Sequence, residues 1–304
     1  MLVSAEFTNM KTNTAMAKNS FHIGTRIAEP ILNRKPIIQN RQIESLLSQY
    51  KPHSLDDLNN AGLMNRVDTK YLLPITDLKK LLTVLAPFYT VLEINCSRTF
   101  PYQTTYFDTP EFGFYLMHHN GKLNRFKIRH RLYVDSGDLY VEVKHKTNKK
   151  VTQKDRVLID GNTNTRDRIN TLVSKPFEGS RTPLFKSLVC SYVRIALADE
   201  KNGERVTLDF NLSFKDPNHK QIKQSNPVLI AEVKRESRKA PSKFINIMDN
   251  FRHKPVSFSK YCIGCAQIHS ERLKTNRFKE TLIALDRISH QEAGTAALEN
   301  NILQ

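Results

Sequence analysis

Eight residues constrain this chain most. In Arg125-Phe-Lys127-Ile-Arg129-His-Arg131-Leu132 every odd position is a cation, while Phe126, Ile128 and Leu132 hold even positions. A strand sends successive side chains to opposite faces. The segment therefore predicts a strand with four cations on one face and an apolar opposite face. The same alternation recurs. Tyr140-Val-Glu142-Val-Lys144-His-Lys146 groups Glu142, Lys144 and Lys146 against Val141 and Val143. Arg66, Asp68 and Lys70 share a parity, as do Glu232 and Lys234, and Lys154 and Arg156. Arg205-Val-Thr-Leu-Asp209-Phe-Asn211-Leu alternates likewise.

One such strand is the solvated edge of a half-buried antiparallel sheet. Several together ask for more. Between Lys122 and Arg156 eleven Lys and Arg face four Asp and Glu, a net +7 in 35 residues. Like charges set opposite one another across strands destabilise a sheet unless an anion neutralises them. The whole chain carries 47 Lys and Arg against 30 Asp and Glu, which points to an anionic partner. Arg and Lys suit phosphate through their multiple N–H donors and fixed charge. Scattered carboxylates such as Glu142, Asp209 and Glu232 are oxygen ligands for a divalent metal. The pattern predicts a concave basic surface or tunnel that binds polyphosphate together with a metal.

The remaining sequence frames this centre. Residues 1–40 read as a poorly ordered leader, 41–291 as the domain and 292–304 as a tail. Helical spacing marks 41–50, about 76–85 and much of 242–291; strand patterning dominates 100–214 and returns at 228–234. The order is β-rich with helices at both ends, an α+β arrangement. No run of 18 apolar residues exists, which excludes a membrane-spanning helix. Residues 1–25 lack an apolar h-region, so the expected location is cytoplasmic. Four cysteines are too few for a disulfide scaffold. Cys262-Ile-Gly-Cys265 lacks a second ligand pair and reads as buried thiols rather than a zinc site. His118-His119, taken as strand neighbours, point apart and form no metal pair. Asp108 in Tyr106-Phe-Asp-Thr109 reads as a turn-fixing residue before Pro110. The cations of 271–279 read as a solvated helical face, with docking of a membrane-protein partner as the alternative.

The motifs Asn65-Arg-Val-Asp-Thr-Lys-Tyr71, Tyr106-Phe-Asp-Thr109, Lys127-Ile-Arg-His-Arg-Leu-Tyr133, Val141-Glu-Val-Lys144, Arg205-Val-Thr-Leu-Asp209, Ala231-Glu-Val-Lys234 and Phe258-Ser-Lys-Tyr261 follow one another in order. Together they resemble the VTC domain, the polyphosphate polymerase domain of the vacuolar transporter chaperone in its bacterial form, within the CYTH-like triphosphate tunnel superfamily. The resemblance spans about residues 55–290. It implies a closed antiparallel β-barrel of about eight strands with a cationic bore and helices packed outside. It also implies transfer of the ATP γ-phosphate to a growing polyphosphate chain with Mn²⁺ or Mg²⁺. Carried over by motif, Lys70, Arg129, Arg131, Lys144 and Lys260 would act on the reacting phosphates. Arg194, Lys234 and Ser259 would bind the chain, and Glu232 would hold the metal. Parity adds Arg66, Lys127, Lys146, Lys154, Arg156 and Arg205 to the phosphate contacts.

The chain departs from the superfamily at one point. Hydrolytic tunnel enzymes open with Glu-x-Glu-x-Lys, whereas Arg66, Asp68 and Lys70 stand here. That shifts metal binding onto Glu232 and favours a transferase over a triphosphatase. Hydrolysis of triphosphate or polyphosphate remains the alternative, followed by non-catalytic polyanion binding. A nucleic acid partner is not expected, because Phe126 falls on the apolar face and stacking platforms do not interleave with the cations of that strand. A bore open at both ends would let product leave as it grows.

Overall fold

The computed structural model describes residues 40–57, 67–149, 151–177, 183–218 and 223–302. Eleven strands occur there: β1 (Pro52–His53), β2 (Val67–Pro74), β3 (Thr90–Leu92), β4 (Phe100–Asp108), β5 (Arg125–Tyr133), β6 (Leu139–Lys146), β7 (Thr152–Leu158), β8 (Phe185–Asp199), β9 (Glu204–Lys215), β10 (Lys223–Asn226) and β11 (Val228–Arg235). The helices are α1 (Asn40–Leu47), α2 (Asp77–Leu85), α3 (Gly113–His119), α4 (Thr163–Ser174), α5 (Lys243–Asn250), α6 (Lys260–Ile268) and α7 (Lys279–Ile302). The leader expected over 1–40 lies outside the described residues except for Asn40, and Arg66 lies outside them too.

Eight strands form one antiparallel path, β2-β11-β9-β8-β4-β5-β6-β7. No β2–β7 ladder closes the path among the described residues. The alternation seen in the sequence becomes two faces. The outer face of β2, β11, β9 and β8 carries Tyr71, Leu73, Leu229, Ala231, Val233, Val206, Leu208, Ile195 and Leu197. Helices α1, α2 and α5 cover it with Ile43, Leu47, Leu78, Leu82, Phe244 and Met248. The outer face of β4–β7 buries Phe107, Ile128, Val141, Val143 and Val157 under Phe114 of α3 and Ile169, Leu172 and Val173 of α4. Each flank thus removes a continuous apolar layer from water, the main favourable term of folding.

A third cluster sits on the inner face. Leu72, Ile230, Leu212, Phe214, Leu188, Cys190 and Tyr106 pack there against Tyr261, Cys262, Ile263 and Cys265 of α6. The sequence pattern for 100–214 missed α3 and α4. It also placed His118 and His119 on a strand, whereas they close α3. Gly113 opens α3, while Gly121, Gly137 and Gly161 take positive φ, which glycine adopts without strain.

Candidate functional site

A bulge decides which side chains of β9 face inward. Asn211 takes φ 54°, and the β8–β9 register shifts between Ser191 and Val193. Arg205, Thr207 and Asp209 share the inner face before the bulge, and Leu212 and Phe214 take it afterwards. The inner surface is accordingly divided lengthwise into a charged half and an apolar half seated on α6.

The charged half is organised by three carboxylates, each held between two cations. Glu232 on β11 lies opposite Lys70 on β2 and accepts from its Nζ at 2.7 Å, while Lys234 Nζ stands 3.1 Å away. Glu142 on β6 lies opposite Arg129 on β5, whose Nε donates to it at 2.5 Å; Arg131 Nη1 is 3.6 Å away. Asp209 takes a bidentate pair from Arg194, Nε at 2.6 Å and Nη2 at 2.8 Å, and Lys260 Nζ at 2.5 Å. Burial alone would raise the Glu232 carboxyl, but the Lys234 and Lys70 ammonium groups outweigh it and hold the group well below the usual carboxylate range. Arg194 and Lys260 do the same for the buried Asp209. Six cations against three carboxylates leave this set positive.

Other cations extend the excess. Lys127 Nζ donates to Ser259 Oγ at 2.9 Å. Burial, then the nearby charges of Arg129, Lys70 and Arg125, lowers its pKa. Crowding by protein around Lys144, then the ammonium groups of Lys127, Lys154 and Lys70, pushes Lys144 down to about 8. Its side chain nonetheless stays exposed, so the space it faces admits water. Lys154 and Arg156 lie on the exposed β7, and Arg156 covers the Tyr140 ring at 4.8 Å. Lys146 pairs in register with Arg125 and Thr152 at the far end of the same strands. Arg205 lies opposite Lys234.

Helix α6 inserts the last two expected residues. Ser259 is its N-cap, accepting from Cys262 N at 3.3 Å, and Lys260 opens its first turn. A small residue allows this seat. A Cβ on Gly264 would lie 2.5 Å from Leu188 Cδ2 and 2.7 Å from Phe214 Cδ1. Tyr261 Oη donates to Asp108, whose carboxylate also accepts from the backbone N–H groups of Thr109, Phe114 and Tyr115. Asp108 thus fixes the turn, as expected, and ties α3 to α6. Cys262 and Cys265 are buried free thiols. The expectation of a bore open at both ends meets an obstacle here, because α6 and its apolar cluster occupy one part of the inner surface.

Alternation of charge could not reveal uncharged donors. Thr104 Oγ1, Thr207 Oγ1 and Arg131 Nε are buried without a hydrogen-bond partner. Thr104 sits opposite Arg131, and Thr207 opposite Glu232. Buried donors without partners are uncommon, and these three could donate to an acceptor bound on the inner face. Thr207 was legible from its place between Arg205 and Asp209; Thr104 had no such signal.

A dedicated metal cage is absent: among the described residues no three His, Cys, Asp or Glu side chains converge. The residues do fit an ion brought in with phosphate. Glu232 is ionised and in reach of solvent at 18% exposure, and Asp68 lies opposite Lys234. Mg²⁺ characteristically takes one or two carboxylates and fills its shell with phosphate oxygens and water.

The family model described as VTC domain matches residues 65–269. The chain belongs to the VTC domain family. This domain carries every cation–carboxylate group described above inside the matched segment. Among solved structures it is similar to HpAC1 of Hippeastrum, described as having a dominant triphosphatase activity, at 15% identity and TM-score 0.39, covering 69% of this chain and 98% of that one. It is also similar to a protein of Pyrococcus horikoshii at 10% identity and TM-score 0.38, covering 68% and 100%. Curated proteins give no match. Among the described residues no helix is long and apolar enough to cross a membrane.

Proposed function

We propose that the VTC domain transfers the γ-phosphate of ATP to the end of an inorganic polyphosphate chain, with Mn²⁺ or Mg²⁺. The observation that carries this reading is the cationic excess on the inner face, with Lys127 and Lys144 both depressed below the ordinary lysine range. Crowded ammonium groups and buried unpartnered hydroxyls are satisfied together by a ligand that is multiply anionic and rich in acceptor oxygens.

Phosphoryl transfer asks the protein mainly for alignment and charge neutralisation. Lys70, Arg129, Arg131, Lys144 and Lys260 are assigned to the reacting phosphates, and Arg194, Lys234, Ser259, Lys127, Arg205, Lys146, Lys154 and Arg156 to the rest of the chain. Arg66 keeps its assignment from parity alone. A terminal oxygen of the acceptor attacks the γ-phosphorus in line. The bond to the β–γ bridging oxygen breaks, and ADP leaves with the electron pair. Arg129 and Arg131 oppose the charge spread over the equatorial oxygens. Lys260, fixed by the α6 cap, orients the reacting phosphates. A divalent ion at Glu232 would supply further neutralisation of the phosphate oxygens. No side-chain nucleophile is required.

A hydrolytic reading has one observation in its favour: exposed β7 and the solvent contact of Lys144 admit water. Incubating the protein with ATP and Mn²⁺ separates the two. The proposal expects long phosphate chains resolved on a gel; free phosphate without chains would replace it with the hydrolase. No turnover and no binding of tripolyphosphate would defeat both.

A further inference from the structure

Two loops meet at the end of the sheet where β5 begins and β6 ends. One joins α3 to β5 and the other joins β6 to β7. Asn148 N donates to Asn124 Oδ1 at 2.8 Å and ties them together. Each is braced within itself: Arg125 Nη1 donates to Lys122 O at 2.9 Å, and Thr147 N to Val151 O at 2.9 Å. Each also turns an aliphatic side chain outward. Leu123 is 62% exposed and Val151 54%, and no large hydrophobic among the described residues is more exposed than Leu123. An open groove at this end is lined by Asn124, Phe126, His145, Lys149 and Val151, with the Phe126 and His145 rings stacked at 4.0 Å.

The charge around these two side chains has one sign. Lys122 and Lys149 are exposed beside them. The exposed Arg277 joins from the segment before α7, its guanidinium 3.5 Å from where a Cβ on Gly121 would lie. No Asp or Glu occurs from Phe112 to Val134, from Val143 to Lys154 or from Arg272 to Lys279. A protein interface core is depleted of lysine. A bilayer surface asks for this combination instead: apolar tips enter the acyl boundary while Lys and Arg stems carry their charges back to the headgroups. We propose that this end of the domain docks on an acidic lipid bilayer, with Leu123 and Val151 entering it and Lys122, Lys149 and Arg277 against the anionic headgroups. None of the five is assigned to the phosphate chain, so the docking surface stands apart from the inner face.

The test is co-sedimentation of the full chain with vesicles of phosphatidylcholine, with and without about one third phosphatidylserine. Wild type should bind the acidic vesicles and not the neutral ones, and high salt should weaken binding. Lys122→Ala combined with Lys149→Ala should lose about thirtyfold in affinity. Leu123→Ser combined with Val151→Ser should lose at least about tenfold. Both pairs are surface changes and should keep the wild-type melting temperature. Arg129→Ala, on the inner face, should leave vesicle binding unchanged. Absence of wild-type binding, equal binding to both vesicles, or full binding by the serine pair would overturn the proposal. Loss of binding in Arg129→Ala would give the vesicle to the inner face instead. A dimer of the free protein that the serine pair dissolves would give the surface to a second copy of the chain.

Discussion

Glu232 carries two roles that pull in different directions. Its ion pairs with Lys70 and Lys234 are geometric facts, whereas the metal role comes from its motif. Gln keeps the shape and removes the charge. We expect Glu232→Gln to nearly abolish metal-dependent turnover while tripolyphosphate still binds, more tightly if anything, because a competing anion has left the inner face. A Mn²⁺ titration of activity in both proteins checks this; near-normal turnover at the same metal concentration would send the metal role to Asp68, Glu142 or Asp209. Lys144 makes a second prediction. Held near 8, it is charged below that pH among like charges, which costs the free protein stability. That cost is relieved as pH rises from about 8 toward the ordinary value of 10.5, where the unfolded chain still binds the proton. Binding a phosphate favours the protonated form. The contribution of Lys144 to tripolyphosphate affinity should therefore fall as pH rises through 8, with proton uptake visible by calorimetry in buffers of different ionisation enthalpy. Lys144→Arg should flatten this dependence; an unchanged profile would remove Lys144 from the site.

At the scale of elements, α6 is where sequence reasoning stopped short. Its charged entry, Ser259-Lys260, was legible only through a motif. The lack of a second ligand pair beside the CxxC pointed correctly to buried thiols. The reason those thiols are small neighbours of a glycine is tertiary, since the helix must fit against Leu188 and Phe214. Gly264→Ala should therefore destabilise, even though alanine is the better helix former by up to about 1 kcal/mol. Overpacking a filled interior costs about 1–3 kcal/mol. A lowered thermal midpoint with weaker tripolyphosphate binding would show that the seat of α6 also sets Lys260; an unchanged midpoint would mean the helix rides outward freely. The alternating strands β2, β5, β6, β9 and β11 were readable because charge and apolar residues trade places with period two. Helix α3 was not: it spans seven residues and owes its first turn to Asp108, a residue outside it; α4, mostly polar along its twelve residues, was missed as well.

For the molecule as a whole, the sequence announced a charged inner face and apolar outer faces but not how charges pair across strands. Register decides that Glu142 meets Arg129 and that Asp209 meets Arg194, and register is a property of the assembled sheet. Composition predicted an anion; the assembled face gathers the cations that the proposal assigns to it. Tripolyphosphate at a hundred times its dissociation constant should stabilise the fold by about 2.7 kcal/mol, raising the melting temperature by several degrees, and much less so at high salt. A melting temperature indifferent to tripolyphosphate would mean that the charged face is ornamental.

The three carboxylates also give the inner face a sense of valence. Every pair of cations around Glu232, Glu142 and Asp209 already has a resident anion. A chloride or a monoanionic phosphate arriving there offers these cations little that the carboxylate does not already supply. Only a ligand bringing several charges on adjacent groups can engage more than one such cluster at once and outweigh the built-in partners. On the proposed function the domain would be a discriminator that counts charge, answering to chains of phosphate more than to the small anions around it.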